Sequence, residues 1–353
     1  MRHNSTGLRF RPLAVLGLLA SLCATAVVVS AAELAIRPSS HRRLNVKPAE
    51  LGGVVYYGPN RTTYFLHSQG VVHRIGDDDE SLVRIPLQSA PEGVNSQVLY
   101  SDIAVDSKGQ MFVAATWTRR PNGGGAGILV YDSDGRYQRS IVLSPRSNIR
   151  HLAIDPSGNI FVLGIDPGYF RGAGNSCFLI HKYTPDGSRV NAFSACPIPP
   201  GDRTLEGGAW DLLTFEVDRG SLWLENGKLY HVLPANHVIR VFDPVTGVGI
   251  GEIPLQPPQP EALGTVAAGP SAAWRVLSRG RDGFLVVWST PTGAGRASVV
   301  TAHDRNGAAT AGQRTPSRIG MPVASAFNGH VFLLTPQPDG TVSLLRGAVV
   351  RTE

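Results

Sequence analysis

One unit recurs through nearly the whole chain at a spacing of about fifty residues. It consists of a short apolar strand, a tight glycine turn, a second strand, a longer loop, and a hairpin closed by Asp-Gly or a similar pair. It is clearest in Asp102-Ile-Ala-Val-Asp-Ser-Lys-Gly-Gln-Met-Phe-Val113, followed by Gly127-Ile-Leu-Val-Tyr-Asp-Ser-Asp-Gly135 and the strand at Arg139 to Leu143. The same wording returns in His151-Leu-Ala-Ile-Asp-Pro-Ser-Gly-Asn-Ile-Phe-Val162 and Phe178-Leu-Ile-His-Lys-Tyr-Thr-Pro-Asp-Gly187. A repeat of this length with four short strands cannot bury its own faces. It must stack on its neighbours, and four-stranded units stack as blades around a ring. Six such units fit into residues 51–353, so the fold class is all-β: a six-bladed propeller with four antiparallel strands per blade. Only residues 205–215 suggest a short helix.

A ring has to close, because an unpaired outer strand is a template for aggregation. The sixth unit lacks a good outer strand. Residues 33–50, a polar and basic lead-in, are expected to supply it from the segment between residues 34 and 46; residues 348–351 are the local alternative. Ahead of the lead-in, residues 1–32 carry Arg2, Arg9 and Arg11 and then an uncharged run. This is a secretory signal with small residues at Val29-Ser-Ala31 and Ser30-Ala-Ala32 for a peptidase to read. The run is about twenty residues, which is also enough for an uncleaved signal-anchor helix. Either way the chain is expected outside the cytoplasm, secreted or periplasmic, with a membrane reached only through that anchor.

Cysteine usage agrees with export. Beyond the leader only Cys177 and Cys196 remain, flanking the hairpin at Thr184-Pro-Asp-Gly187. Pro185 suits the second position of a type I turn and Gly187 the left-handed position after it. The strands then fold back with Cys177 and Cys196 nearly opposite, and a disulfide is expected. The net charge of +6 falls to about +3 without the leader arginines, which is too little for a nucleic-acid partner. Lysine occurs only at positions 47, 108, 182 and 228, so most positive charge is guanidinium, suited to carboxylate or phosphate recognition.

Turns between first and second strands, and between third and fourth, are short and lie on one face of a propeller. The other face receives the longer connections, at residues 117–126, 165–176, 197–220, 256–272 and 289–297. These carry Trp117, Arg119, Arg120, Tyr169, Arg171, Arg203, Trp210 and Arg296, of the residue types enriched at binding hot spots. They predict an aromatic and guanidinium surface around the central opening, suited to a protein, a peptide or an anionic glycan.

The wording Asp102-Ile-Ala-Val-Asp-Ser-Lys-Gly109 and Leu152-Ala-Ile-Asp-Pro-Ser-Gly-Asn-Ile-Phe-Val162 resembles NHL-type repeats, which implies a six-bladed propeller. The match covers blades two and three, and its motif is a folding signature, so it implies a fold and not an activity. Peptidyl-hydroxyglycine lyases of this superfamily bind zinc through a His placed near the first strand of several blades. His151 matches that position and Asp102 occupies it in blade two; Met321 holds it in blade six, and blades four and five have no His there. Lactonases of the gluconolactonase type hold calcium with a Glu, two Asn and an Asp, and their Glu-Gly-Pro opening is missing here. Asp132-Ser-Asp-Gly135 resembles the start of a calcium loop without its later acidic ligand. Asp77-Asp-Asp-Glu80 reads as a solvated turn, and His231 and His237 in blade four have no evident third partner.

No His-Glu-x-x-His, Gly-x-Ser-x-Gly or phosphate-cradling motif is present, so no catalytic or metal-binding residue is assigned. The expectation is an exported binding module without cofactor, using its long-loop face. The alternative is a metal-dependent lyase or lactonase-like hydrolase at the central opening, using Asp102 and His151 with calcium or zinc.

Overall fold

The described residues begin, in a computed structural model, with β1 (Glu33–Arg43) and one helical turn, α1 (Pro48–Leu51). Blade one is β2 (Val54–Tyr57), β3 (Thr62–His67), β4 (Val71–Gly76) and β5 (Val83–Pro86). Blade two is β6 (Ser96–Val105), β7 (Met111–Arg119), β8 (Gly123–Tyr131) and β9 (Tyr137–Val142). Blade three is β10 (Asn148–Ile154), β11 (Ile160–Ile165), β12 (Phe178–Tyr183) and β13 (Arg189–Ala195). Helix α2 (Gly208–Arg219) leads into blade four: β14 (Ser221–Glu225), β15 (Lys228–Leu233), β16 (Val238–Phe242) and β17 (Gly249–Pro254). Blade five is β18 (Ala272–Ser278), β19 (Phe284–Thr292), β20 (Gly295–His303) and β21 (Ala309–Gln313). Blade six has β22 (Met321–Ser325), β23 (His330–Pro336) and β24 (Val342–Thr352). The described residues are 33–352 without 59–60, 77–81, 90–95, 120–122, 144–147, 166–176, 197–207, 259–271, 293–294, 314–320 and 326–329. The expected signal or anchor helix at 1–32 and the acidic turn at 77–80 therefore lie outside them.

The repeated Asp-x-x-Gly is a turn device. Asp106 Oδ1 accepts from the N–H groups of Lys108 (2.9 Å) and Gln110 (2.8 Å), and Asp155 Oδ1 does the same for Ser157 and Asn159. Asp132 is used in the same way by Asp134 and Arg136, so its carboxylate closes its own turn. The glycines have a second task. Gly135 sits at φ +81°, and a Cβ there would lie 2.7 Å from the Pro86 carbonyl oxygen. The turn of blade two thus docks on the outer strand of blade one, and Gln88 N–H donates to Gly135 O across that contact (2.9 Å).

Among the described residues the core is divided. Apolar clusters lie between successive blades: Leu66 and Ile85 of blade one meet Ile103 and Met111 of blade two, and Phe112 and Ile128 meet Leu152 and Val162 of blade three. Phe161 and Leu163 meet Leu229 and Phe242 of blade four, and Tyr230 and Ile239 meet Phe284 and Trp288 of blade five. Val287 and Val300 meet Val331 and Leu333 of blade six. Phe332 and Leu344 meet Phe65 and Ile75 of blade one, which completes the circle. A strand sandwiched between two blades has to be apolar on both faces, and every residue of β11 is buried.

The outer strand of blade six comes from the other end of the chain. β1 pairs antiparallel with β24 from Glu33↔Thr352 to Arg43↔Ser343, with a bulge at Pro38/Ser40. A single parallel bridge, Glu33↔Gly312, joins it to β21.

Cys177 and Cys196 form a disulfide across the open end of the β12–β13 hairpin, just beyond the pair Phe178↔Ala195. Their Cα atoms are 5.3 Å apart, and Cys196 N–H donates to Cys177 O (3.0 Å). Closing a loop of this length stabilises the fold by about 3 kcal/mol in the chain-entropy treatment. The double variant Cys177→Ser, Cys196→Ser is expected to lose about that much in urea unfolding, with an m-value no smaller than that of the wild type. A change under ~0.5 kcal/mol would contradict this account.

Candidate functional site

The first strands of the blades neighbour one another around the ring, β2 beside β6, β6 beside β10, β10 beside β14, and β18 beside β22. Three of them carry a bulge at the same place. The register shifts between Tyr100 and Asp102 in β6, between Ile149 and His151 in β10, and between Ala273 and Arg275 in β18. In each case the residue after the bulge stands three before the last paired residue, Val105, Ile154 or Ser278. Asp102, His151 and Arg275 are therefore equivalent positions on three inner strands. Sequence wording disclosed the first two. It missed Arg275 because the stretch Trp274-Arg-Val-Leu277 has neither the Asp nor the Pro-Ser-Gly that marks its counterparts. In blade six the bulge falls between Pro322 and Ala324, and by pairing it is Met321, opposite Leu334, that stands at the equivalent place.

Asp102 Oδ2 accepts from the N–H of Leu152 in the neighbouring blade (2.7 Å) and lies 3.7 Å from His151 Nδ1. The two side chains are 13% and 30% exposed, so solvent reaches them although protein surrounds them. Burial pushes the Asp102 carboxyl up to about 7 against the pull of the Ile103 and Leu152 N–H groups. Burial also takes His151 down to about 4, with Arg275 and Arg150 adding to the effect. At neutral pH His151 is uncharged and Asp102 is partly protonated, so this pair is a donor and acceptor set and not an ion pair.

Helix α2 touches β10, β11 and β18, and so lies over the start of the inner strands on either side of blade four. Leu213 and Val217 bury its apolar side against Leu163 and Leu233. Arg150 Nε bonds Asp218 Oδ1 (2.7 Å), fixing the helix end beside His151. Glu216, fully buried, accepts from Ala235 N–H (3.2 Å), and burial raises its carboxyl to about 7. The two blade-four histidines diverge. His231 Nδ1 meets Ser194 Oγ of blade three (2.7 Å), whereas the His237 ring meets Trp288 of blade five edge-on with centroids 5.3 Å apart.

Two of the expected long loops are extended hairpins. β7 pairs with β8 out to Arg119↔Gly123, and β19 with β20 out to Thr292↔Gly295. Alternation continues past the blade there because glycine and small residues oppose the longer side chains. Trp117 lies opposite Gly125, its indole filling the space a side chain would need, and it also approaches Gly127 (3.1 Å from a Cβ built there). The glycine run at 123–125 thus makes room for an indole that packs half-buried against the blade-one and blade-two cluster. Arg119 and Arg296 lie on the two hairpins and Trp210 in the first turn of α2, with side chains outside the described residues. Arg120, Tyr169, Arg171 and Arg203 lie outside them altogether.

Among the described residues no group of three or more His, Cys, Asp or Glu side chains converges to hold a metal. Asp102 and His151 alone do not fit a catalytic zinc, which takes three protein ligands. Two surface cavities are separate from the inner strands. One of about 500 Å³ lies beside Tyr230, Glu252 and Arg305, and one of about 300 Å³ beside Asp304 and Val349.

No family model matches the chain, and no curated protein matches it. Solved structures do resemble it. A Bacteroides fragilis protein proposed as exported aligns over 91% of this chain and 96% of its own, with a TM-score of 0.56 and 11% identity. A protein of unknown function from Bacteroides caccae aligns over 83% and 97%, with a TM-score of 0.45 and 13% identity. A luciferin-regenerating enzyme aligns over 90% and 98%, with a TM-score of 0.45 and 15% identity. At such identities the first of these supports the propeller architecture and nothing finer.

Proposed function

We propose that this chain is an extracytoplasmic NHL-type propeller that acts as a binding module, taking a protein, peptide or anionic glycan on the face that carries α2 and the two extended hairpins. The observation that carries this reading is the length of those hairpins. β7–β8 and β19–β20 each run for nine residue pairs, against four to six for the corresponding pair in blades one, three and four. Strand length beyond what the ring needs raises Trp117, Arg119 and Arg296 on one face, and rigid platforms of this kind are where recognition surfaces are built. The Cys177–Cys196 disulfide supports an oxidising compartment. Among the described residues, no helix is long and apolar enough to cross a membrane. The metal-dependent alternative has less behind it, since Asp102 and His151 gather no third ligand among the described residues.

The test begins with the purified protein on arrays of acidic and neutral oligosaccharides and of peptides. For the best ligand found, Arg120→Ala and Arg296→Ala are each expected to weaken capture about tenfold, a hot-spot-sized loss, without lowering the melting temperature. Unchanged affinity in both variants, or no capture by the wild type, would remove this reading.

A further inference from the structure

We propose that the centre of the ring holds one carboxylate group of the ligand, bound by the Nε and Nη2 edge of Arg275 at the level of Asp102 and His151. The inference rests on the binding-module reading and adds to it the chemistry of one part of the ligand.

Arg275 has no counter-ion among the described residues; Arg74 and Arg139 also donate to backbone carbonyls without one, but of these three only Arg275 stands on an inner strand. Arg150 pairs with Asp218, Arg240 with Glu252 and Arg305 with Glu225. Arg275 instead donates from Nη1 alone, to the carbonyl oxygens of Pro322 (3.2 Å) and Val323 (3.4 Å) on the inner strand of blade six. That contact anchors the guanidinium plane and leaves its Nε–Nη2 edge without an acceptor among the described residues. Asp102 does not serve as a distant partner. No hydrogen bond or ion pair joins the two among the described residues: Asp102 meets the Leu152 N–H and His151, and Arg275 the carbonyls of blade six. Arg275 is partly exposed, so its unoccupied edge is open to an anion that enters the ring.

Geometry and charge decide which anion. The free edge of a guanidinium offers two parallel N–H donors, the arrangement that matches the two oxygens of a carboxylate. His151, which feels the Arg275 charge and is held neutral, adds no second cation. With one guanidinium and a partly ionised Asp102, the site carries at most a single positive charge, which favours a carboxylate over a doubly charged phosphate. A sugar acid and a peptide C-terminus share this group.

The experiment titrates the full protein, by calorimetry and thermal shift, with acetate, D-galacturonate, trialanine and trialanine amide, using galactose and sulfate as controls. Saturable binding of at least one carboxylate is expected, with no response to galactose or the amide. Response to galacturonate alone identifies a sugar acid, and response to trialanine alone a peptide end. Arg275→Met should weaken that binding at least tenfold, and Arg275→Lys, which keeps the charge and loses the fork, should weaken it several-fold with the circular dichroism spectrum unchanged. Lys108→Ala, in the exposed turn between β6 and β7, should bind these small probes as the wild type does. Absence of carboxylate binding, equal binding of sulfate, or wild-type affinity in a folded Arg275 variant each overturns the proposal. If the Arg120 and Arg296 variants still lose capture of the large ligand in that case, the binding-module reading stands and only the carboxylate assignment falls.

Discussion

Deletion of Glu33–Arg43 is expected to abolish the cooperative unfolding transition of the propeller. This strand is the outer edge of blade six, and its register joins ten residue pairs to β24. At roughly 1 kcal/mol net for each ladder hydrogen bond, that is about 10 kcal/mol, comparable with the whole stability of an ordinary domain. Leu34, 1% exposed, adds about 2 kcal/mol through its burial with Leu285, Val287 and Leu333. The strand also ties the ring across its seam. Arg42 Nη1 donates to Gly76 O of blade one (2.8 Å), and within blade six Arg43 pairs with Asp339. Without β1, the eleven residues of β24 become a bare edge open to pairing with other copies. The truncated protein should therefore lose its sigmoidal melt by circular dichroism and elute as aggregates, and a synthetic peptide of residues 33–43 added during refolding should restore part of the native signal. A deletion variant that melts cooperatively within a few degrees of the wild type would show that the ring does not depend on this closure.

That closure was legible in the sequence because it follows from a deficit: five units contain four strands and the sixth contains three. The blades, the helix near residue 210 and the disulfide were legible for similar reasons, since alternation, turn chemistry and mirrored cysteines are all local patterns. The hairpin tips were harder. A glycine-rich stretch at 123–125 reads as loop by propensity, and only the indole of Trp117 lying over it explains why the ladder continues. Arg275 was hidden for another reason. Its place is defined by a bulge and by a count back from the turn, and neither leaves a mark in residue type. Nor could spacing reveal that His231 and His237, six residues apart, serve different blade interfaces. Sequence reports which residues a strand contains, whereas the facing of a side chain after a bulge depends on the pairing register.

The same position gives the second large effect, in Asp102. Its carboxyl is raised from 3.8 to about 7 by burial, so the folded protein holds this proton more tightly than the unfolded chain does. The stabilisation linked to that proton is complete below the unfolded value, is lost as pH rises from about 4 through about 7, and leaves a constant penalty above it. A rise of that size corresponds to about 4 kcal/mol. Asp102→Asn cannot ionise and still offers an oxygen to the Leu152 N–H, so the variant should match the wild type near pH 4 and exceed it by up to about 4 kcal/mol at pH 8. His151 works in the opposite sense. Its folded value is lowered from 6.5 to about 4, so its contribution is present above 6.5 and lost as pH falls, and it cancels when two proteins with the same His151 are compared. Chemical denaturation of both proteins from pH 4 to 8 measures the difference directly, and a pH-independent gap would refute the assignment.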